Sequence, residues 1–185
     1  EKRKLLEIRI KTDKQIEYIK YDLPKVEDLS AEKIIEALKK SGLWVCLKQR
    51  PYGIIPNPNV EPKAIFVSGF SSVPAAPDYD YALKDELDNI QLAINALNKL
   101  TKGGVHMGLS RISANSTPLH KLKNVYFHVF DGPHPADNVG VQIHHISPVN
   151  KGEVVWTVDL PLLAAIGKFF SKGIYDMSRT VAITG

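Results

Sequence analysis

Ala64-Ile65-Phe66-Val67-Ser68-Gly69 decides the fold, because four apolar residues without alternation run straight into a serine and a glycine. A strand buried on both faces reads this way, and parallel sheets are built from such strands. Comparable runs return at Val105 to Leu109, Val125 to Phe130, Val154 to Val158 and Val181 to Thr184. Helical patterns stand between them. Leu83, Leu87, Ile90, Ile94 and Leu97 recur at helical spacing over residues 81–100, and Gly103 and Gly104 end that helix. Leu162, Ile166 and Phe169 mark another after Asp159 and Pro161, closed by Gly173. Strand and helix in turn predict a doubly wound α/β fold, a mainly parallel sheet with helices on both faces. Residues 135–146 stay open between two readings. Pro135 suits a first helical turn that aligns Val139, Ile143 and Ile146, whereas Gly140 and the alternation Val139, Val141, Ile143 suit a strand.

Working outward toward the N-terminus, residues 50–62 hold Pro51, Pro56, Pro58 and Pro62 with Gly53, a composition that excludes a regular element. Before them, Ser30 caps a helix over residues 31–41, Leu29 and Ile34 form its hydrophobic staple, and Gly42 stops it. Residues 5–11 and 16–21 alternate around Thr12 to Gln15 as a β-hairpin does, with Leu6, Ile8 and Ile10 on one face. The expected division is a hairpin in 1–24, a helix with a Pro-rich connection in 25–62, and the α/β domain proper in 63–185. The opening at Glu1 and a strand-like run reaching Gly185 lead us to expect a longer parent chain.

Of the 185 residues 44% are hydrophobic and 24% charged, which suits a globular domain, and no run nears the ~18 apolar residues of a membrane span. The net charge of +4 is spread over Lys2, Arg3, Lys4, Arg9, Lys11, Lys14 and helix faces, without aromatic residues interleaved, so nucleic acid is not an expected partner. Cys46 stands alone and has no companions for a cluster or zinc site.

In doubly wound sheets ligands sit beyond the carboxyl ends of the strands. That rule selects the loops beginning at Ser68, Ser110, Asp131 and Asp159, with Ser68 and Gly69 after the first core strand, Ser110 and Arg111 after the second, and Asp131 and His134 after the third as the candidate ligand residues. Arg111 offers a guanidinium fork for a carboxylate or phosphate. His134 precedes a helix N-terminus, where free N–H groups accept an anion, although Pro133 and Pro135 around it equally describe a rigid corner. A dinucleotide fingerprint would need G-x-G-x-x-G after the first strand, and Ser68-Gly69-Phe70-Ser71-Ser72 has one glycine. His144 and His145 diverge on a helix or a strand alike, so no metal is expected there with His134. No nucleophile, base and orienter assemble from the sequence, and no catalytic residue is assigned.

Ser41-Gly42-Leu43-Trp44, Gln49-Arg50-Pro51-Tyr52 and Ile55-Pro56 resemble the NqrA family of the Na⁺-translocating NADH:quinone oxidoreductases. Gly132-Pro133-His134-Pro135-Ala136, Ile143-His144 with Ile146 and Pro148-Val149, and Val155-Trp156-Thr157 leading to Ala165-Ile166-Gly167 carry the likeness onward. The resemblance implies a peripheral subunit on the cytoplasmic face of the bacterial inner membrane, one of several in a complex that couples quinone reduction to Na⁺ export. It implies a Rossmann-like middle domain between a biotinyl-lipoyl-like domain and a ubiquitin-like one, with the first hairpin belonging partly to the former. The family is also similar to flavin-binding subunits of respiratory complex I and the Rnf complex, whose glycine-rich FMN loop is here Leu43, Trp44, Val45 and Cys46 after Gly42. The resemblance therefore implies no flavin on this segment. It allows ubiquinone as a ligand of the parent subunit, while FAD, a 2Fe–2S cluster, FMN and riboflavin are placed in partner subunits.

Overall fold

In the computed structural model, which describes residues 7–11, 15, 17–181 and 183, the apolar runs become one five-stranded sheet. Its strands are β1 (Lys48–Arg50), β2 (Ile65–Ser68), β3 (Val105–Ser110), β4 (Val125–Phe130) and β5 (Val155–Thr157), in the order β1-β5-β2-β3-β4. β5, β2, β3 and β4 are parallel, and β1 pairs antiparallel with β5. The chain steps outward from β2 to β3 to β4 and then returns to lay β5 on the other side of β2. Loops leaving β2 and β5 therefore run in opposite directions and open a crevice at their carboxyl ends.

Helices α1 (Ala31–Ser41), α2 (Tyr79–Ala82), α3 (Leu87–Asn98), α4 (Val139–Ile146) and α5 (Leu160–Lys172) surround the sheet. α1 keeps the predicted bounds: Ser30 accepts from Lys33 N–H, and Gly42, at φ 81°, donates to Lys39 C=O. α5 has Pro161 in its first turn and ends at Gly173 with φ 64°.

The helix expected over 81–100 is instead two. Asp78 caps α2 through Asp80 N–H, Thr117 holds the Asp80 carboxylate at 2.6 Å, and the chain leaves helical geometry at Leu83 before restarting at Leu87. Leu83 and Leu87 both still pack on the core, so the apolar spacing carries no trace of the break. Residues 139–146 are helix, not strand, and start beyond Pro135 because Asn138 takes the cap position and accepts from Gly140 N–H at 2.8 Å. Of the N-terminal hairpin, residues 5, 6, 12–14 and 16 lie outside the described residues. Residues 7–11 and 17–19 form no strand, Ile8 and Ile10 are exposed, and Lys20 makes an isolated antiparallel bridge to Ile174. Ala182 and Thr184 of the expected last strand also lie outside, and Val181 and Ile183 belong to no element.

Strand alternation sends Ile65, Val67, Val105, Met107 and Leu109 into the larger core with α3 and α5, while Phe66 and Val155 meet Ile143 of α4 on the other face. Ile34, Leu38, Trp44 and Leu47 belong to that larger core, so the helix and connection before residue 63 pack with the strands after it. Trp44 and Trp156 meet edge to face at 5.3 Å, and Trp44 Nε1 donates to Pro56 C=O at 3.0 Å. α3 and α5 approach closely at Gly167, where a Cβ would overlap the Asn89 carbonyl. Beside it, Lys168 and Glu86 form a largely buried 2.8 Å ion pair, and Ser171 donates to Asn89 Oδ1.

α4 leaves part of its face of the sheet uncovered, and there His106 stacks on Phe66 and His128. His106 Nε2 lies 3.1 Å from Gly103 C=O, which can only accept, so that nitrogen carries the proton and Nδ1 accepts from His128 Nε2 at 2.9 Å. Burial lowers the pKa of both rings, with the Gly103 bond opposing the shift at His106 and the neighbouring His106 adding to it at His128.

Gly167→Ala is expected to destabilise by about 3 kcal/mol in urea unfolding, since the backbones must separate; an unchanged midpoint would contradict the packing. For the histidines, a folded pKa below the unfolded value of ~6.5 makes their stabilisation complete above that pH and lost as pH falls below it. His106→Gln/His128→Gln should therefore show a flatter loss of stability from pH ~6.5 downward than the parent, and equal slopes would exclude the pair as its cause.

Candidate functional site

A crevice of about 230 Å³ opens where β2 and β5 part, lined by Ser68 at the end of β2, Phe70 after it, Asp159 after β5, Asp137 before α4, Tyr79, and Arg50 from the end of β1. Behind Ser68 stands Gln142. That side chain is buried and its Nε2 donates to Ser68 Oγ at 3.0 Å and to Ala136 C=O at 3.1 Å. It lies over Gly108 of β3, where any Cβ would collide with its amide. Ser68 Oγ in turn donates to Phe70 C=O at 3.1 Å, so its one proton is engaged.

Asp137 anchors the loop after β2 to the turn before α4. Ser72 Oγ donates to one carboxylate oxygen at 2.5 Å and Ser71 Oγ to the other at 3.1 Å. Burial alone would raise its pKa; the hydroxyl and N–H of Ser72, the hydroxyl of Ser71 and the charge of His134 outweigh that and leave it lowered. His134 Nδ1 stands 3.1 Å from Ser72 Oγ and 3.4 Å from Asp137 Oδ1. Serine, histidine and aspartate are thus together, but hydroxyl and carboxylate converge on the same ring nitrogen and also bond each other. A nucleophilic triad needs them on opposite nitrogens, so that the ring takes a proton on one side while held on the other. This group ties two loops together.

Of the positions selected from sequence, Ser68 and the loop start Asp159 line the crevice and His134 borders it through Asp137. Gly69 is packed against β3: its N–H donates to Gly108 C=O at 2.8 Å, and a Cβ would press on that oxygen and on Leu109 and Leu119. Ser110 Oγ accepts from Ile112 N–H, and Arg111 faces Asp131 in an exposed 3.7 Å ion pair. Arg111 and His134 thus take separate partners rather than one shared anion.

Sequence reasoning does not reach Arg50, Tyr79, Asp137 or Gln142. Gln142 carries one usable signal, as a polar residue beside Ile143 on the apolar face of its helix. Arg50 stands in one of the signatures that carry the family resemblance but has no periodic signal, because its strand is three residues long and ends at Pro51. Its Nε is buried without a hydrogen-bond partner among the described residues. Burial, with Asp159 and Asp137 adding, raises the Tyr79 pKa, so the phenol stays protonated and able to donate.

The residues present do not fit a pyrophosphate in the usual Rossmann manner. That turn requires glycines along which phosphate approaches the backbone, and the one glycine after β2 is packed against β3 instead. Nor does the crevice reach the ~300 Å³ at which sites for drug-sized ligands begin. Among the described residues no three of His, Cys, Asp and Glu gather as metal ligands, and no helix is long and apolar enough to cross a membrane.

Comparison with known proteins places these features. Among solved structures, a chain of an NAD⁺-reducing [NiFe]-hydrogenase in its H₂-reduced state shares the fold with a TM-score of 0.50 over 81% of this chain and 32% of its own, at 13% identity. The NqrA protein of the Na⁺-translocating NADH-quinone reductase from Pseudomonas aeruginosa is 33% identical over 94% of this chain. Its counterparts from Yersinia pestis and Neisseria gonorrhoeae are each 34% identical over 96% of it. The chain spans only 38% to 39% of the length of these relatives. Residues 29–175 match the family model described as the NqrA second alpha/beta domain, taking in β1 to β5 and all five helices, and this chain therefore belongs to the NqrA family.

Proposed function

We propose that this chain serves as the α/β domain of NqrA in a Na⁺-translocating NADH:quinone reductase, within a peripheral subunit on the cytoplasmic face of a bacterial inner membrane. In this reading it acts as a scaffold that docks other subunits and supports quinone reduction coupled to Na⁺ export. The match of one family domain across both layers of the fold carries the proposal. FAD, 2Fe–2S, FMN and riboflavin are then the business of partner subunits, and ubiquinone is a ligand of the assembled parent. The filled space over Gly108 and the single packed glycine after β2 support a domain without its own flavin.

A second reading is favoured by the unpartnered Nε of Arg50: a small anion bound in the crevice beside the N-terminus of α4.

Calorimetric titration of the purified chain with FMN, NADH, a soluble quinone and inorganic phosphate separates these readings. The scaffold reading expects no saturable FMN or NADH heat and no NADH oxidation by the isolated chain; saturable flavin binding or turnover would overturn it. Phosphate binding that disappears in Arg50→Ala would establish the second reading, and its absence at ~10 mM would end it.

A further inference from the structure

β4 is the terminal strand of the sheet, and no described strand lies beyond it. Phe130 C=O accepts from Arg111 N–H at 2.9 Å, so the main-chain groups of Phe130 face β3. By the alternation of a parallel ladder those of Tyr126 and His128 do the same, and the N–H and C=O groups of Val125, Phe127 and Val129 face away from the sheet. An edge of this kind is usually guarded by charge, proline or a bulge, because unpaired N–H and C=O groups template a further strand. Val125-Tyr126-Phe127-His128-Val129-Phe130 has no Lys, Arg, Asp, Glu or Pro, and its pairing with β3 is unbroken from end to end. Tyr126 and Val129 are 61% and 54% exposed.

The strand is complementary to itself. Antiparallel pairing about a two-fold axis through Phe127 sets Phe127 against its own copy, Val125 against Val129, and Tyr126 against His128. Every pair joins residues on the same face, as side-chain alternation requires, and each of the three outward-facing residues falls in a hydrogen-bonded pair. Aromatic and β-branched neighbours across the seam add to the backbone bonds. Charge selects the direction. Lys121 and Lys123 precede the strand and Asp131 follows it, so antiparallel pairing brings the basic entry of each copy to the acidic exit of the other, whereas a parallel partner would align like charges. Asp131 is held only by the exposed 3.7 Å contact to Arg111 among the described residues and is free to turn toward a second copy.

We infer that the outer edge of β4 is a self-association surface, through which two copies of this chain pair antiparallel into one continuous sheet. The contact is a single strand wide, so the dimer is weak.

Sedimentation velocity of the chain from ~1 to ~300 µM should show a concentration-dependent rise to twice the monomer mass. Amide exchange at Val125, Phe127 and Val129 should slow over the same range, while Tyr126 and His128, already bonded to β3, change little. Val129→Pro deletes an outward N–H without removing a β3 bond and should abolish the dimer. Lys121→Glu/Lys123→Glu should weaken it about ten-fold, and adding Asp131→Lys should restore it, which tests the pairing even if the proline variant does not fold. A wild-type chain that stays monomeric throughout would overturn the inference. So would a dimer that survives a folded Val129→Pro variant, or one indifferent to the lysine reversals.

Discussion

Gln142 over Gly108 is the contact on which the arrangement of this domain turns. α4 lies across one face of a sheet whose other face takes α3 and α5, and it is the element that carries the chain back from β4 to β5. A polar side chain buried at the start of that helix is tolerated because its amide meets Ser68 of β2 and the Ala136 carbonyl. Gly108 supplies the space. The one residue thereby fixes the height of α4 above the sheet, holds the loop after β2, and fills the carboxyl edge beside the reversal of strand order, where folds of this type hold their ligands.

The anchoring continues through Asp137, which gathers Ser71, Ser72 and His134 from the two loops that flank the crevice. Groups that could have received a ligand instead satisfy each other. Arg50 is the exception, a guanidinium brought in by an antiparallel edge strand and left with its Nε unpaired among the described residues. The result suits a domain whose fold is retained for the surfaces it presents, with the chemistry assigned to partner subunits in the proposed function.

The strands and the capped helices were legible because each reports itself locally: an apolar run for β2, β3, β4 and β5, Ser30 and Gly42 around α1, Pro161 and Gly173 around α5. The break before α3 was hidden because Leu83 and Leu87 keep helical spacing while the Asp78 cap and the Thr117 bond to Asp80 end α2 early. β1 was hidden because three residues before a proline carry no period. At the site, position along the strands found Ser68 and His134, but Arg50 and Gln142 become neighbours of them only through sheet order, which no local pattern encodes. Arg111 and Asp131 were equally well placed by that rule, and they pair with each other at the surface.

In the proposed function this domain supports a pump assembled from other subunits and does no redox chemistry itself. The direct test is Na⁺-stimulated NADH:quinone reductase activity in membranes whose NqrA carries Gly108→Leu, which expels the Gln142 amide, compared with Arg111→Ala at the exposed pair. Loss of activity together with loss of NqrA from the membrane, with flavin content of the remaining subunits unchanged, is the predicted result for Gly108→Leu, while Arg111→Ala stays near the parent. Full assembly with a flavin missing from the complex would contradict it, because that result would place a flavin on this domain.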